Sequence, residues 1–424
     1  MANTELYIPA REVQPTLDSS KASVGDLMDS QRGWGVVAAA FLGMFLSMGV
    51  LVAYSFGVLA PAMAEDLGFS PAQIPSIFLV FSLSCVVGGP VWGALTDRFG
   101  ARPITMISSM LMAILFCTLT ILPSNAASVY AAFVAIGLLS SGTLPASYAT
   151  VVVGWFDKRR GLALGVTMMG IGAGAAVVPP LSAFLLAHFG WRSTYVFYGL
   201  VIALVCVPIL MVFLKPNPSV ALERGPSKEL PRLEVVRSAT QVPTTWVLVF
   251  FAFLMGVVLI GTVISFVPML QAQGMTRTQA AGYQSILGIA LIAGRFIIGG
   301  LIDRFFAPRV MMAVLCITIV GFVSLYYANS PAAYALSAAG VGLAVGAEID
   351  FLGFLVSRYY PKAAFATLFA VLFAIHTLGA GFGASLVAWL TSVFGSYQPA
   401  FLVLSALTGL LALSTLLLPR YEQR

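Results

Sequence analysis

Twelve continuous apolar runs, parted by short polar turns, constrain this chain more than any other feature it carries. They lie at roughly 34–58, 76–95, 103–122, 128–153, 162–187, 193–214, 245–270, 282–302, 309–328, 332–357, 364–390 and 398–418. Crossing a bilayer as a helix takes about 20 residues, so each run is long enough to span. The runs are continuous rather than alternating, which excludes barrel strands. Composition agrees: 59% of the residues are hydrophobic and only 9% are charged, against about 25% charged in an average soluble domain. So few charges cannot cover a water-facing surface, and the same numbers exclude disordered, collagen-like and disulfide-scaffold classes. Cys85, Cys117, Cys206 and Cys316 lie singly in separate runs with no CxxC spacing. They read as small buried hydrophobes, with no bridge and no zinc site. Residues 1–33 are polar and lack the apolar core of a signal peptide, so they read as a tail.

The bases fall almost entirely on one side of this map. With the N-terminus inside, nineteen of the 22 Lys and Arg lie at cytoplasmic ends or tails, and only Arg192 and Arg277 lie outside. The remaining one, Arg295, sits within a span. Loops biased in this way orient a multi-pass protein with both termini cytoplasmic. The net charge of +6 is therefore topology, with no nucleic-acid patch.

Two turns repeat half a chain apart. Gly93-Ala94-Leu95-Thr96-Asp97-Arg98-Phe99-Gly100-Ala101-Arg102 follows span 2, and Gly300-Leu301-Ile302-Asp303-Arg304-Phe305, then Arg309, follows span 8. The two aspartates are 206 positions apart (303 − 97). Trp155-Phe156-Asp157-Lys158 after span 4 is echoed by Tyr359-Tyr360-Pro361-Lys362 after span 10, 204 positions on (359 − 155). Agreeing offsets predict two six-helix halves in parallel repeat, 34–214 and 245–418, with tails at 1–33 and 419–424. A proline-rich stretch of mixed charge, 215–244, reads as a cytoplasmic linker between them.

The doubled Gly-x-Leu-x-Asp-Arg-x-Gly-x-Arg turn and the 6+6 plan resemble the major facilitator superfamily over the whole chain. A narrower likeness covers spans 4 and 5. Trp155-Phe156-Asp157-Lys158-Arg159-Arg160-Gly161-Leu162-Ala163-Leu164-Gly165, with Gly170, Gly172 and Gly174, resembles a signature of the monocarboxylate transporters and their oxalate/formate antiporter relatives. Arg32-Gly33-Trp34-Gly35 partly matches that family's other signature. The resemblance implies an all-α membrane protein of twelve transmembrane helices in two bundles. It implies that Asp97, Arg98, Arg102, Asp303 and Arg304 form a conformational latch, against the plainer reading of solvated turns. It also implies that Arg295 binds a carboxylate. The acid that the resembled family often carries one turn earlier in span 8 is Leu291 here, and span 1 lacks its lysine.

Charges inside the spans have their own physical reading. Arg295, Glu348 and Asp350 are the three, and an ionisable group within lipid is costly enough to mark function by default. Arg295 lies eight positions before Asp303 and Asp350 eight before Arg358, so both sit about 12 Å from the same boundary at a rise of ~1.5 Å per residue. An arginine stays protonated and offers a planar fork that matches a carboxylate, which makes Arg295 the first choice for a substrate anion. Glu348 and Asp350, two positions apart, point about 200° from each other on a helix. One is expected to pair with Arg295 or carry a proton, the other to bond a neighbouring helix; the alternative is a permanent pair holding spans 8 and 10 together. His376 reads as donating to a backbone carbonyl, or as relaying protons or bonding the substrate, and His188 as structural. Tyr54 and Tyr148 offer hydroxyls to a cavity. Glycines in spans 5 and 11 predict close helix packing, and Pro179-Pro180 a break or kink in span 5.

The expected function is secondary active transport of a small organic anion, monocarboxylate-like, by alternating access, with proton symport or anion exchange. A proton or counter-anion and the lipid bilayer are the other partners, and the site is the plasma membrane (the inner membrane in a bacterium). Oligomeric state is left open. One alternative is transport or export of a larger or neutral compound, with Arg295 in a structural ion pair. Another is a transporter-derived membrane sensor, which the short tails disfavour. No Walker loop, nucleophile elbow or metal-ligand cluster is present, so no enzyme, cofactor or metal is expected.

Overall fold

A computed structural model describes residues 31–69, 73–121, 123, 125–156, 159–217, 232–327 and 330–420. The tail 1–30, Asp157, Lys158, residues 218–231 of the 215–244 linker and residues 421–424 lie outside the described residues, as do the side chains of Asp97, Arg160 and Asp303. Among the described residues the chain is helical, with no strand. Span 1 is Gln31–Phe45 and Met48–Leu67, span 2 Gln73–Phe99 and span 3 Ala101–Thr118. Span 4 is interrupted: Ala126–Leu139, a tight 3₁₀ turn over Ser141–Thr143, then Pro145–Val153. Spans 5 and 6 run as Arg160–Val201, a π-helical turn at Ile202–Cys206 and Val207–Phe213. Span 7 is Pro243–Met255, a π-helical turn at Gly256–Ile260 and Gly261–Gln271. Spans 8 to 12 are Arg277–Arg304, Ala307–Tyr327, Pro331–Tyr359, Lys362–Phe394 and Gln398–Ser414.

Local chemistry explains several of these limits. Thr276 and Gln279 close a reciprocal capping box that starts span 8. Asn125 accepts from the Ser128 amide at span 4, and Ser330 from the Ala333 amide at span 10. Spans 5 and 6 are parted only by Gly190, whose φ of 80° is open to glycine at little cost and rare for other residues. Pro179-Pro180 does not break span 5, because the backbone on either side stays helical. One further expectation needs correction. Cys316 is exposed on span 9 rather than buried, so it faces lipid. The linker contains a short helix, Arg232–Ala239.

Glycine contacts make the duplication physical. A Cβ on Gly88 of span 2 would meet the Leu138 carbonyl of span 4 at 2.9 Å, and one on Gly294 of span 8 would meet the Leu343 carbonyl of span 10 at 2.6 Å. The glycines are 206 apart (294 − 88) and their partners 205 (343 − 138). Likewise Gly174 of span 5 seats on Val50 and Phe45 of span 1, and Gly379 of span 11 on Phe253 of span 7. Small residues let backbones approach where lipid supplies no hydrophobic drive. Gly161 and Gly165, however, meet nothing within 4 Å, so only the later part of the span 5 glycine run is a packing surface.

The halves join through spans 1 and 7, 2 and 11, and 5 and 8. Their close approaches lie in the membrane middle and toward the end away from the linker. Gly57 meets the Ile264 carbonyl, Gly288 the backbone of Ala175 and Ala176, and Gly381 that of Leu79. At the linker end, Gly93, Gly161, Gly299 and Gly300 have open space around them. The described glycine seats between the halves thus lie away from the linker end.

Candidate functional site

The three charges within the spans converge in the second half, beside span 1. Close seating of span 10 on span 8, with Gly346 against the Leu291 carbonyl, sets Arg295 and Asp350 opposite each other. The Arg295 Nε lies 3.7 Å from the Asp350 Oδ2. That is an ion-pair distance but too long for a hydrogen bond, and the buried Nε has no hydrogen-bond partner. The arginine side chain is only 7% exposed, whereas Asp350 is 41% exposed. A sequestered cation therefore faces a partly exposed carboxylate.

Glu348 points the other way, as two positions on a helix require. Its Oε2 lies 3.2 Å from the His376 Nε2 of span 11, with both side chains buried. The histidine's partner is thus a carboxylate, not the backbone carbonyl favoured from sequence. Its own carbonyl packs on Gly256, at the π-helical turn of span 7. Tyr54 of span 1 is buried within electrostatic reach of both Glu348 and Arg295. It brings the first half to the network. Tyr148 does not join it: it packs on Gly43, with its hydroxyl on Ser109, inside the first half. His188 donates from Nδ1 to the Phe184 carbonyl, as a structural residue would.

An aromatic feature went unread in the sequence. On span 11, Phe365, Phe369, Phe373 and His376 stack in series with centroid distances of 5.7, 6.4 and 6.0 Å. Phe365 also lines a cavity of about 450 Å³ with Phe354, Ser357 and Arg358, at the linker end of spans 10 and 11. The i, i+4, i+8 spacing of the phenylalanines was visible, but apolar spacing in a span normally signals only packing. The two subfamily signatures also meet, for Trp34 packs edge-on against Phe156 at 5.3 Å. The repeat-related Tyr360 hydroxyl lies 2.5 Å from Thr245 at the start of span 7.

The latch residues make their described contacts within their own half. Arg102 donates to the Met211 carbonyl at 2.7 Å, Arg98 lies over the Phe99 ring, and Arg304 is exposed at the end of span 8. No group of three or more metal-binding side chains occurs among the described residues.

Comparison with known proteins places this geometry. The signature of the Major Facilitator Superfamily matches residues 34–354. Monocarboxylate transporter 13 of Bos taurus is 26% identical over 389 residues, covering 89% of this chain and 87% of that protein. A 4-hydroxybenzoate transporter of Acinetobacter baylyi is 25% identical over 404 residues, covering 86% of each. A 3-(3-hydroxy-phenyl)propionate transporter of Escherichia coli is 28% identical over 249 residues, covering 58% of this chain and 60% of that one. Among solved structures, nucleoside transporter NupG superposes with a TM-score of 0.71 at 16% identity, covering 93% of this chain and 100% of that one. A D-xylose-proton symporter has the same TM-score at 16% identity, covering 90% and 97%. These relatives and neighbours are transporters, not enzymes. A dozen apolar spans in two repeated halves, with charge buried inside the second, make this chain a multi-pass plasma-membrane protein that belongs to the Major Facilitator Superfamily and resembles its monocarboxylate transporter branch.

Proposed function

We propose that the chain moves small organic acids across the membrane by alternating access, with Arg295 as the anchor for the substrate carboxylate. The observation that carries this reading is the buried guanidinium whose Nε lacks a hydrogen bond and whose nearby acid, Asp350, stands at 3.7 Å. A guanidinium held in lipid needs a carboxylate geometry it can bond through its fork. Asp350 is then a resident counter-ion in the empty state, and an incoming carboxylate replaces it at closer range while Asp350 turns to water. Tyr54 is positioned to bond the same substrate from the first half. Curated relatives named for monocarboxylates and for hydroxylated aromatic acids support the carboxylate class. The linker end is assigned to the cytoplasm because the bases crowd there.

The test is counterflow in proteoliposomes loaded with unlabelled acid, using radiolabelled pyruvate, oxalate and 4-hydroxybenzoate outside. At least one is expected to enter well above the level of empty liposomes, and Arg295→Gln to abolish that entry. If none enters, or if the variant exchanges as fast as wild type, the proposal fails. A permanent structural pair is the competing reading, favoured by the ion-pair distance itself. It predicts that Asp350→Asn disables the protein rather than altering its affinity.

A further inference from the structure

We propose that the buried Glu348–His376 pair carries the coupling proton, at a site separate from the anion site on Arg295. This rests on the carboxylate-transport reading above. Four ionisable side chains share the network: Arg295, Asp350, Glu348 and His376. With both acids ionised and the imidazole neutral, their charges sum to −1. A carboxylate entering that cluster meets net repulsion in a medium that screens poorly. One added proton brings the cluster to zero, and the substrate then meets a neutral site with a guanidinium in it.

The geometry says where that proton goes. Asp350 is half exposed and already opposed to Arg295, while Glu348 is 3% exposed with a histidine at hydrogen-bond distance. A carboxylate and an imidazole that face each other can hold one proton between them, on either the Oε2 or the Nε2. The surroundings offer few competitors. Span 1 presents Tyr54 and span 8 presents Arg295. Span 7 meets span 11 here through Phe253, Gly256 and Val257, and span 2 meets it through Leu79 and Ser82, none of which titrates. The pair also bridges two assemblies, since span 11 is seated on span 7 and span 10 on span 8. Protonation therefore acts at the joint between them.

The balance of the cycle is simple. One proton from the outer side binds the pair, one carboxylate binds Arg295 as Asp350 leaves it, the halves rock, and both are released inside. No covalent bond other than that to the proton forms or breaks.

Two assays in proteoliposomes separate this from the reading beneath it. Counterflow of radiolabelled pyruvate and 4-hydroxybenzoate needs no net proton movement, whereas uphill accumulation under an imposed pH gradient does. Glu348→Gln, whose cluster is neutral without a proton, is expected to retain counterflow and to lose pH-driven accumulation, with Glu348→Asp restoring part of it. Accumulation that survives in Glu348→Gln overturns the assignment, and so does loss of its counterflow along with accumulation. Wild type that exchanges carboxylate but ignores a pH gradient also overturns it, while leaving the transport reading intact. Wild type that exchanges no carboxylate overturns the transport reading itself.

Discussion

Arg295 occupies the place where the first half carries Gly89, 206 positions earlier (295 − 89), next to the matched pair Gly88 and Gly294. The duplicated scaffold thus holds one side with a glycine and the other with a guanidinium. Lysine at this position keeps the charge but loses the planar fork. Arg295→Lys is expected to lower pyruvate or 4-hydroxybenzoate uptake by about tenfold or more, mainly through a higher KM, read from initial rates in proteoliposomes. Asp350→Asn is expected to act in the opposite direction on affinity. Removing the resident counter-ion should lower the KM for entry while slowing release, so that counterflow saturates earlier at a lower maximum. The charges themselves were legible in the sequence, because an ionised group in lipid cannot hide. Their pairing was only half legible. Helical geometry showed that Glu348 and Asp350 diverge, and matched depth joined Asp350 to Arg295. Nothing local linked Glu348 to His376, since 28 residues and a turn separate them.

Elements tell a parallel story. The spans follow from continuous apolar runs, and their number from counting them. Interruptions were harder to see, because they depend on tertiary packing. The 3₁₀ turn in span 4 is fastened from span 3, where the Ser108 hydroxyl donates to the Leu139 carbonyl and accepts from the Gly142 amide. The π-helical turn in span 7 lies where Gly256 admits the His376 carbonyl. Neither partner is a neighbour in sequence. The contact between spans 8 and 10 sets the register of the ion pair, so a wedge there should damage function before it abolishes the fold. Gly294→Val is expected to lower the midpoint of thermal unfolding in detergent by several degrees and to depress counterflow strongly. Gly93→Val, at a position with open space, is expected to change neither by a comparable amount. Fluorescence-detected size-exclusion thermostability reads the first quantity directly.

Taken whole, the molecule has its described seam between the halves away from the linker side. A cysteine in the cavity of spans 10 and 11 should report whether the linker side is open. Ser357→Cys, in a background with the four native cysteines replaced, is expected to react with a membrane-impermeant maleimide from the linker side. Saturating pyruvate or 4-hydroxybenzoate should slow that reaction if either acid draws the halves together. Equal labelling with and without an acid that is transported would show that the cavity plays no part in the cycle. The two-half plan was legible from repeated turns, but the state was not, since one sequence encodes every state of an alternating cycle.

The far end carries one more consequence. Its closure is made by glycines lying against backbone, at Gly57, Gly288 and Gly381. The ion pair described near that surface, Arg192 with Asp66, joins spans 1 and 6 of a single half and so does not tie one half to the other. Such a seam behaves like a ground-glass joint rather than a bolted one. Its described contacts are ones of fit, so changing the salt outside is expected to leave it shut, whereas a single methyl group should hold it ajar. Gly381→Ala is therefore a doorstop: it should tip the resting population toward the outside-open form, and impermeant reagents should then reach the site from the opposite face.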